Sequence, residues 1–365
     1  MSLKAITSLL FQSHFHIPKV SLRQQSVQVT VCGASGKVGQ SLSLMLKQSR
    51  LIDRLVLFDV QQVRGVAAEL NHIDLKCKVV SEAGELQLSA ALEKADVVVI
   101  VASASKVSDP LSLAMFDSNA SLVKTITEAF SRVCPNAILI MGTNPVSSLV
   151  PLASEILKTK KVLNSKKVLG ASSLNVIRAN ALVAETFHLT PESISVPVIG
   201  GPSGLAVVPI LSQVKPHLKF TKEQLICVTD KLQSADRNVI NLRHAKECAY
   251  LSCGYALAKF VVSVVKGLRG EANIIEQAFV HSKVHPHTKY FATPVLLGKG
   301  GVENNYGIPK GITQYETCQV EHAVSLIIDD VRRGERYCDI DELKPCDPCS
   351  LNQTTPCPPS WCQMV

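Results

Sequence analysis

The residues whose spacing speaks most directly of chemistry are three glycines and an acid near the amino end. Gly33, Gly36 and Gly39 stand in GASGKVG, between a β-branched run over residues 27–32 and a helical pattern with Val38, Leu42 and Met45 on one face. Glycines in such a place let the backbone turn tightly and come close to a pyrophosphate, whose charge is met by the amino end of the following helix. Lys37 adds a positive charge to the turn. Asp59 ends the next apolar run, LVLFD, 20 residues after Gly39. A carboxylate there accepts hydrogen bonds from an adenosine ribose and disfavours a 2′-phosphate, so NAD is expected rather than NADP. A glycine cluster alone marks only a tight turn; strand, helix and spaced acid together point to a dinucleotide-binding fold.

The elements that must hold this turn are legible as continuous apolar runs. Residues 55–59, 96–102 and 137–142 follow the first strand at intervals long enough for helices, the pattern of a parallel sheet covered on both faces. After about Gly170 the texture changes. Helices are expected over 174–186, 222–239 and 244–265, strands over 195–200 and 292–298, and a closing helix over 316–334. The expected architecture is α/β: a Rossmann-type doubly wound parallel sheet over 26–169, followed by an α+β substrate domain over 170–338.

With 365 residues, 46% hydrophobic and 19% charged, the chain has material for two domains with real cores. No uninterrupted apolar run of about 18 residues is present, so membrane insertion is not expected. The formal charge of +8 is spread along the chain without a basic stripe and interleaved aromatics, which argues against nucleic-acid binding. Residues 1–25 carry Lys4, Lys19 and Arg23, and no acid occurs before Asp53. That bias fits a mitochondrial transit peptide with Leu3, Ile6 and Leu10 on one helical face, and hence a matrix location; the plainer alternative is a disordered basic tail.

Twelve cysteines are unevenly placed. Seven lie in the body, mostly in apolar stretches where a thiol behaves as a small buried hydrophobe. Cys338, Cys346, Cys349, Cys357 and Cys362 crowd the carboxyl end among five prolines, which sets 339–365 apart as a Cys/Pro-rich tail. Its spacing lacks the second C-x-x-C of a zinc site, and no metal is assigned to it. Cross-linking to a partner and no separate function remain as readings.

GASGKVGQSLSLMLK, RGVAAELNHI, DVVVIVA, TNPV, VIRANALVAE, SVPVIGG and FATPVLLGKGGVENNYGI together resemble the mitochondrial-type NAD-dependent malate dehydrogenases, from about Val27 to Gly334. The resemblance implies a histidine base after the glycine pair of VIGG; the matching residue here is Pro202, which has no titratable group. It implies an aspartate that orients the histidine; Asn175 stands there, and an amide does not stabilise an imidazolium as a carboxylate does. Two loop arginines are matched by Lys106 and Ser112, which lack the planar fork that grips a carboxylate. Small residues on the helix near the nicotinamide are matched by Ala245, Lys246, Glu247, Cys248 and Ala249, a further family position there by Cys253, and a glycine after the third strand by Ser103.

Other family positions are retained: Arg178 as carboxylate clamp, Asn144 toward substrate and nicotinamide, and Asn119 beside the cofactor. An arginine in a helix also pairs readily with a nearby acid. Of the remaining histidines, His244 alone adjoins the altered helix.

The resemblance thus implies a family member in which no catalytic residue is intact, a pseudoenzyme of structural or regulatory role with possible, weakened NAD binding. Binding of a small dicarboxylate is doubtful. The alternative is an active oxidoreductase of altered 2-hydroxy acid substrate with a relocated acid or base. By family habit it pairs through helices near GVAAELNHI, as a homodimer or as a mixed dimer with an active paralogue.

Overall fold

A computed structural model describes residues 26–104, 113–244 and 247–339. The segments 1–25, 105–112, 245–246 and 340–365 lie outside it. They contain the expected transit peptide, Lys106, Ser112, Ala245, Lys246, and Cys346, Cys349, Cys357 and Cys362 of the tail.

In the first half strand and helix alternate: β1 (Gln28–Cys32), α1 (Lys37–Lys47), β2 (Arg54–Asp59), α2 (Arg64–Asn71), β3 (Lys78–Ala83), α3 (Leu88–Leu92), β4 (Val97–Ile100), α4 (Leu113–Val133), β5 (Ile138–Met141), α5 (Val146–Thr159) and β6 (Val168–Ala171). All six strands are parallel, in the order β3-β2-β1-β4-β5-β6. Strands β4, β5 and β6 are apolar at every position because both faces are covered, whereas edge strand β3 carries Lys78, Ser81 and Glu82. Val29, Val31, Val97 and Val99 face one core with Leu42 and Phe260, while Val98, Ile100 and Leu139 face another with Phe130 and Leu149. This is the Rossmann arrangement, and its strand order reverses between β1 and β4, where a crevice opens beyond the carboxyl ends of the strands.

The second half holds α6 (Ser173–Phe187), β7 (Val198–Gly200), β8 (Val207–Pro209), α7 (Lys222–Gln233), α8 (Ala235–Leu242), α9 (Tyr250–Leu268), β9 (Ile274–His285), β10 (Thr288–Gly298), β11 (Gly301–Asn305) and α10 (Gln314–Asp339). Strand β6 pairs antiparallel with β9 through Gly170 and Phe279, and β10, β7 and β8 continue the same sheet. The two halves therefore share one sheet, and the fold is that expected, an α/β dinucleotide-binding unit joined to an α+β unit.

Strands β3, β6, β8, β9 and β11 were not among the expected elements, and two expected helices have other bounds. The helix expected over 222–239 breaks at Ser234, which ends α7 and begins α8. The helix expected from 244 begins at Tyr250, after His244 takes a left-handed φ of 54°. Strand β9 was not expected, since Glu276 and Gln277 break its apolar run. Helix α9 has the length and mean hydropathy, 1.4, of a membrane span, although Lys259 and Lys266 interrupt its sequence. Its apolar face is buried against α1 and the sheet, with Phe260, Val261 and Val265 fully enclosed, so that hydropathy belongs to a core helix.

Candidate functional site

The glycine turn joins β1 to α1 at the crevice. Gly33 has φ +99°, and a Cβ there would lie 2.3 Å from the Ala102 nitrogen; a Cβ on Gly39 would lie 2.1 Å from the Gly33 carbonyl oxygen. Both glycines are thus fixed by the chain's own packing. Gly36 differs, because its nearest neighbour would be 3.5 Å away, which leaves open space on the outer side of the turn. Gly36 also caps α1, whose first turn contains no acid and no side-chain cap. Amides at that amino end are available to an anion, and the helix dipole favours one. Turn and helix end together fit the pyrophosphate of a dinucleotide.

Asp59 closes the far side of the turn. Its Oδ2 accepts from the Ser35 amide at 3.0 Å and the Ser35 hydroxyl at 2.7 Å, and its Oδ1 from the Gln61 amide at 3.2 Å. The carboxylate is half-buried at the end of β2, where a ribose would meet it.

Lys37, the first residue of α1, forms an ion pair with Glu247, and Arg243 donates to the other oxygen of Glu247 at 2.7 Å. Both cations lie near the Tyr250 ring, Arg243 at 4.5 Å from its centroid and Lys37 at 5.3 Å. The bond from Lys37, with support from Arg243, holds the Glu247 carboxyl below the usual carboxylate range. A carboxylate of the chain itself therefore engages the lysine of the phosphate turn.

Asn119, fully buried, ties the ends of two central strands together. Its Oδ1 accepts from the Ala104 amide at 2.9 Å and the Ser103 hydroxyl at 3.2 Å, and its Nδ2 donates to the Asn144 carbonyl at 2.7 Å. Ser103 thus spends its hydroxyl on Asn119. Asn144 is exposed on the crevice wall.

A second cleft continues from this point toward α6, lined by Asn144, Asn175, Pro202, Ser203, Asp236 and Cys253 among others. Asn175, on the first turn of α6, is buried, and its Nδ2 donates to the Pro202 carbonyl at 2.8 Å. Pro202 follows Gly200 and Gly201 in the turn from β7, which is held by the Gly201 amide donating to Ala206 at 2.6 Å. One helical turn beyond Asn175, Arg178 donates from Nη2 to Asp236 Oδ1 at 2.6 Å; the two side chains are 13% and 28% exposed. Arg178 is thus engaged by the chain's own acid.

Among the described residues, the titratable groups lining this cleft are Asp236 and Cys253, and no histidine lines it. Burial pushes the Cys253 thiol up to about 12, so it stays protonated at neutral pH. His244 is exposed and lies off the cleft lining. The sequence reading therefore named Gly33, Gly36, Gly39 and Asp59, which come together, and Asn119 with Asn144, and Asn175 with Pro202, which are bonded. Sequence reasoning did not single out Asp236, and it named Cys253 only as the residue matching a family position on the helix near the nicotinamide. Asp236 sits within a helical polar pattern that reads as a solvated face, and its partner is 58 residues away; only the break at Ser234 turns it inward.

Residues 27–170 match the family model described as lactate/malate dehydrogenase, NAD binding domain, and residues 172–336 that described as lactate/malate dehydrogenase, alpha/beta C-terminal domain. The chain is 40% identical over 314 residues to mitochondrial malate dehydrogenase of Rattus norvegicus, covering 86% of this chain and 92% of that one. It is 35% identical over 340 residues to glyoxysomal malate dehydrogenase of Cucumis sativus, covering 89% and 95%. Among solved structures, lactate dehydrogenase of Eimeria maxima with NADH and oxamate superposes with a TM-score of 0.73 at 20% identity, covering 88% of this chain and 99% of that one, a likeness of fold.

Proposed function

The chain belongs to the malate dehydrogenase family, within the lactate/malate dehydrogenases, and from that premise we propose that it is a dinucleotide-binding member that does not turn over malate. Its first half is an NAD-binding domain of that family. The residues fit the cofactor best at its adenosine half. Gly36 and the uncapped start of α1 receive the pyrophosphate, and Asp59 the ribose.

When bound, NAD supplies the hydride acceptor; what the chain must add is a base, an orienting carboxylate and a grip on the substrate. The observation that carries the reading is the bond from Asn175 to the Pro202 carbonyl. Where a base and its orienting acid are required, an amide and a proline satisfy each other, and neither moves a proton at neutral pH. Cys253 is held protonated and Asp236 is engaged by Arg178, which leaves no free base among the described residues lining the cleft.

The role that follows is structural or regulatory: a folded family member that holds a dinucleotide without consuming it. The family's habit of pairing through helices near α2 is what supports a homodimer or a mixed dimer with an active relative. The rat relative supports a mitochondrial location. The family-model boundaries support division of the chain near residue 170.

The test is a fluorescence titration of the purified full-length chain with NADH in the presence of oxaloacetate. The reading predicts a saturable NADH signal that does not decay. Decay dependent on oxaloacetate would establish the alternative, an active enzyme with a relocated acid or base.

A further inference from the structure

Arg178 is largely withdrawn from water, and a guanidinium in that position requires a counter-anion. Asp236 supplies it from the first turn of α8, where a negative charge is also favoured by the helix amino end. The same carboxylate lines the cleft beside Asn144, Asn175, Pro202 and Cys253, so it occupies space that a small ligand entering the cleft would use. We infer that Asp236 is a resident carboxylate, an internal ligand that fills the anion position of Arg178 and closes the cleft to external carboxylates. This rests on the reading above that the chain is a malate dehydrogenase family member that does not turn over malate.

The energetics favour the internal ligand. It is already tethered, so forming the pair costs no translational freedom, whereas an incoming anion must be drawn from solution. An external carboxylate that took Arg178 would also leave the Asp236 charge beside it, partly desolvated and unpaired, and like charges at that range repel. Removing the Asp236 carboxylate reverses both effects. Arg178 is then left without its partner and accepts the first small anion that fits.

The experiment uses malonate, an unreactive dicarboxylate, and the full-length chain. Calorimetry on the unmodified protein should show no saturable malonate binding. Asp236→Ala and Asp236→Asn should bind it at least on the order of tenfold more tightly, a difference of about 1.4 kcal/mol. Adding Arg178→Leu to either variant should abolish the gain. A measurement without any variant stands beside these: the Arg178 guanidinium resonance of the unmodified protein should not move when malonate is added. Equal malonate affinity with and without Asp236, or a malonate-dependent shift of that resonance in the unmodified protein, would overturn the inference. Because malonate undergoes no hydride transfer, this outcome is separate from whether the chain oxidises malate.

Discussion

The side-chain amide of Asn175 donates to the backbone carbonyl of Pro202 at 2.8 Å, so the two residues that the family resemblance sets at the proton-transfer positions are bonded to each other. The bond has a direction. Residue 175 is the donor and residue 202 the acceptor, and a carboxylate, having no hydrogen to give, cannot take the place of the amide.

Asn175→Asp should therefore destabilise the protein. It places a buried carboxylate against a carbonyl oxygen, replacing a bond with a repulsion and leaving two acceptors unsatisfied, at a cost of about 1–3 kcal/mol. Chemical denaturation of the variant and the unmodified chain measures this at neutral pH. An unchanged midpoint would mean that the amide contributes nothing by donating to Pro202.

How much of this was legible beforehand depends on the distance over which each demand acts. The glycine turn and Asp59 were readable because their constraints are local: a positive φ at Gly33, a close approach at Gly39, and one acid at the end of the next strand. Parallel strands β1, β2, β4 and β5 were readable because burial on both faces makes them largely apolar, whereas β3, with Lys78, Ser81 and Glu82, and the four-residue β6 were not. Strand β9 was not, since Glu276 and Gln277 interrupt it while Phe279 and Val280 are enclosed. Family resemblance located the substitutions at Pro202 and Asn175, but nothing in the sequence tells that they bond to each other across 27 residues, or that Arg178 reaches Asp236. Such pairings are properties of the tertiary arrangement.

Lys37 gives a second prediction. While paired with Glu247 it is only partly available to a pyrophosphate, so Glu247→Gln should tighten NADH binding by roughly two- to fivefold at low salt. The gain should shrink as ionic strength rises, because both side chains are partly exposed and screened. Fluorescence titration at two salt concentrations measures it. Equal affinities at low salt would show that Glu247 does not compete for Lys37.

ADP-ribose should bind about as tightly as NAD. In the proposed reading Gly36, the start of α1 and Asp59 meet the pyrophosphate and ribose, whereas on the other side Ser103 is bonded to Asn119 and Glu247 stands where the resemblance implies a small residue. Calorimetric titration with each ligand compares them. A clear preference for NAD would mean that the nicotinamide contributes its own binding energy and that its pocket remains in use.

Stability should depend on pH through Glu276. Burial raises its carboxyl above the usual carboxylate range, although it accepts from Ser263 at 2.5 Å and lies near Lys259 and Lys266. Since the folded-state pKa is raised, the ionised form is disfavoured in the fold, and the chain loses stability as pH rises from the ordinary glutamate value through the raised one. Glu276→Gln keeps an acceptor for Ser263 without the charge. It should match the unmodified chain in acid and exceed it in melting temperature above that window. A difference that stayed constant with pH would rule out Glu276 ionisation as its source.

Whether the cleft can move a proton is read from oxaloacetate-dependent NADH loss by the unmodified protein and by Pro202→His, both free of contaminating dehydrogenase. A missing base alone removes about 10²- to 10⁴-fold in rate. Restoring an imidazole opposite Asn175, with Arg178 held by Asp236 and no arginine at Lys106 or Ser112, still leaves the substrate ungripped and the two reactants unaligned. The predicted result is NADH loss at the blank rate for both proteins, with turnover expected at the earliest when Pro202→His, Asn175→Asp, Lys106→Arg and Ser112→Arg are combined. Repeated oxaloacetate-dependent turnover by the unmodified chain would show instead that it is an active dehydrogenase with a base elsewhere.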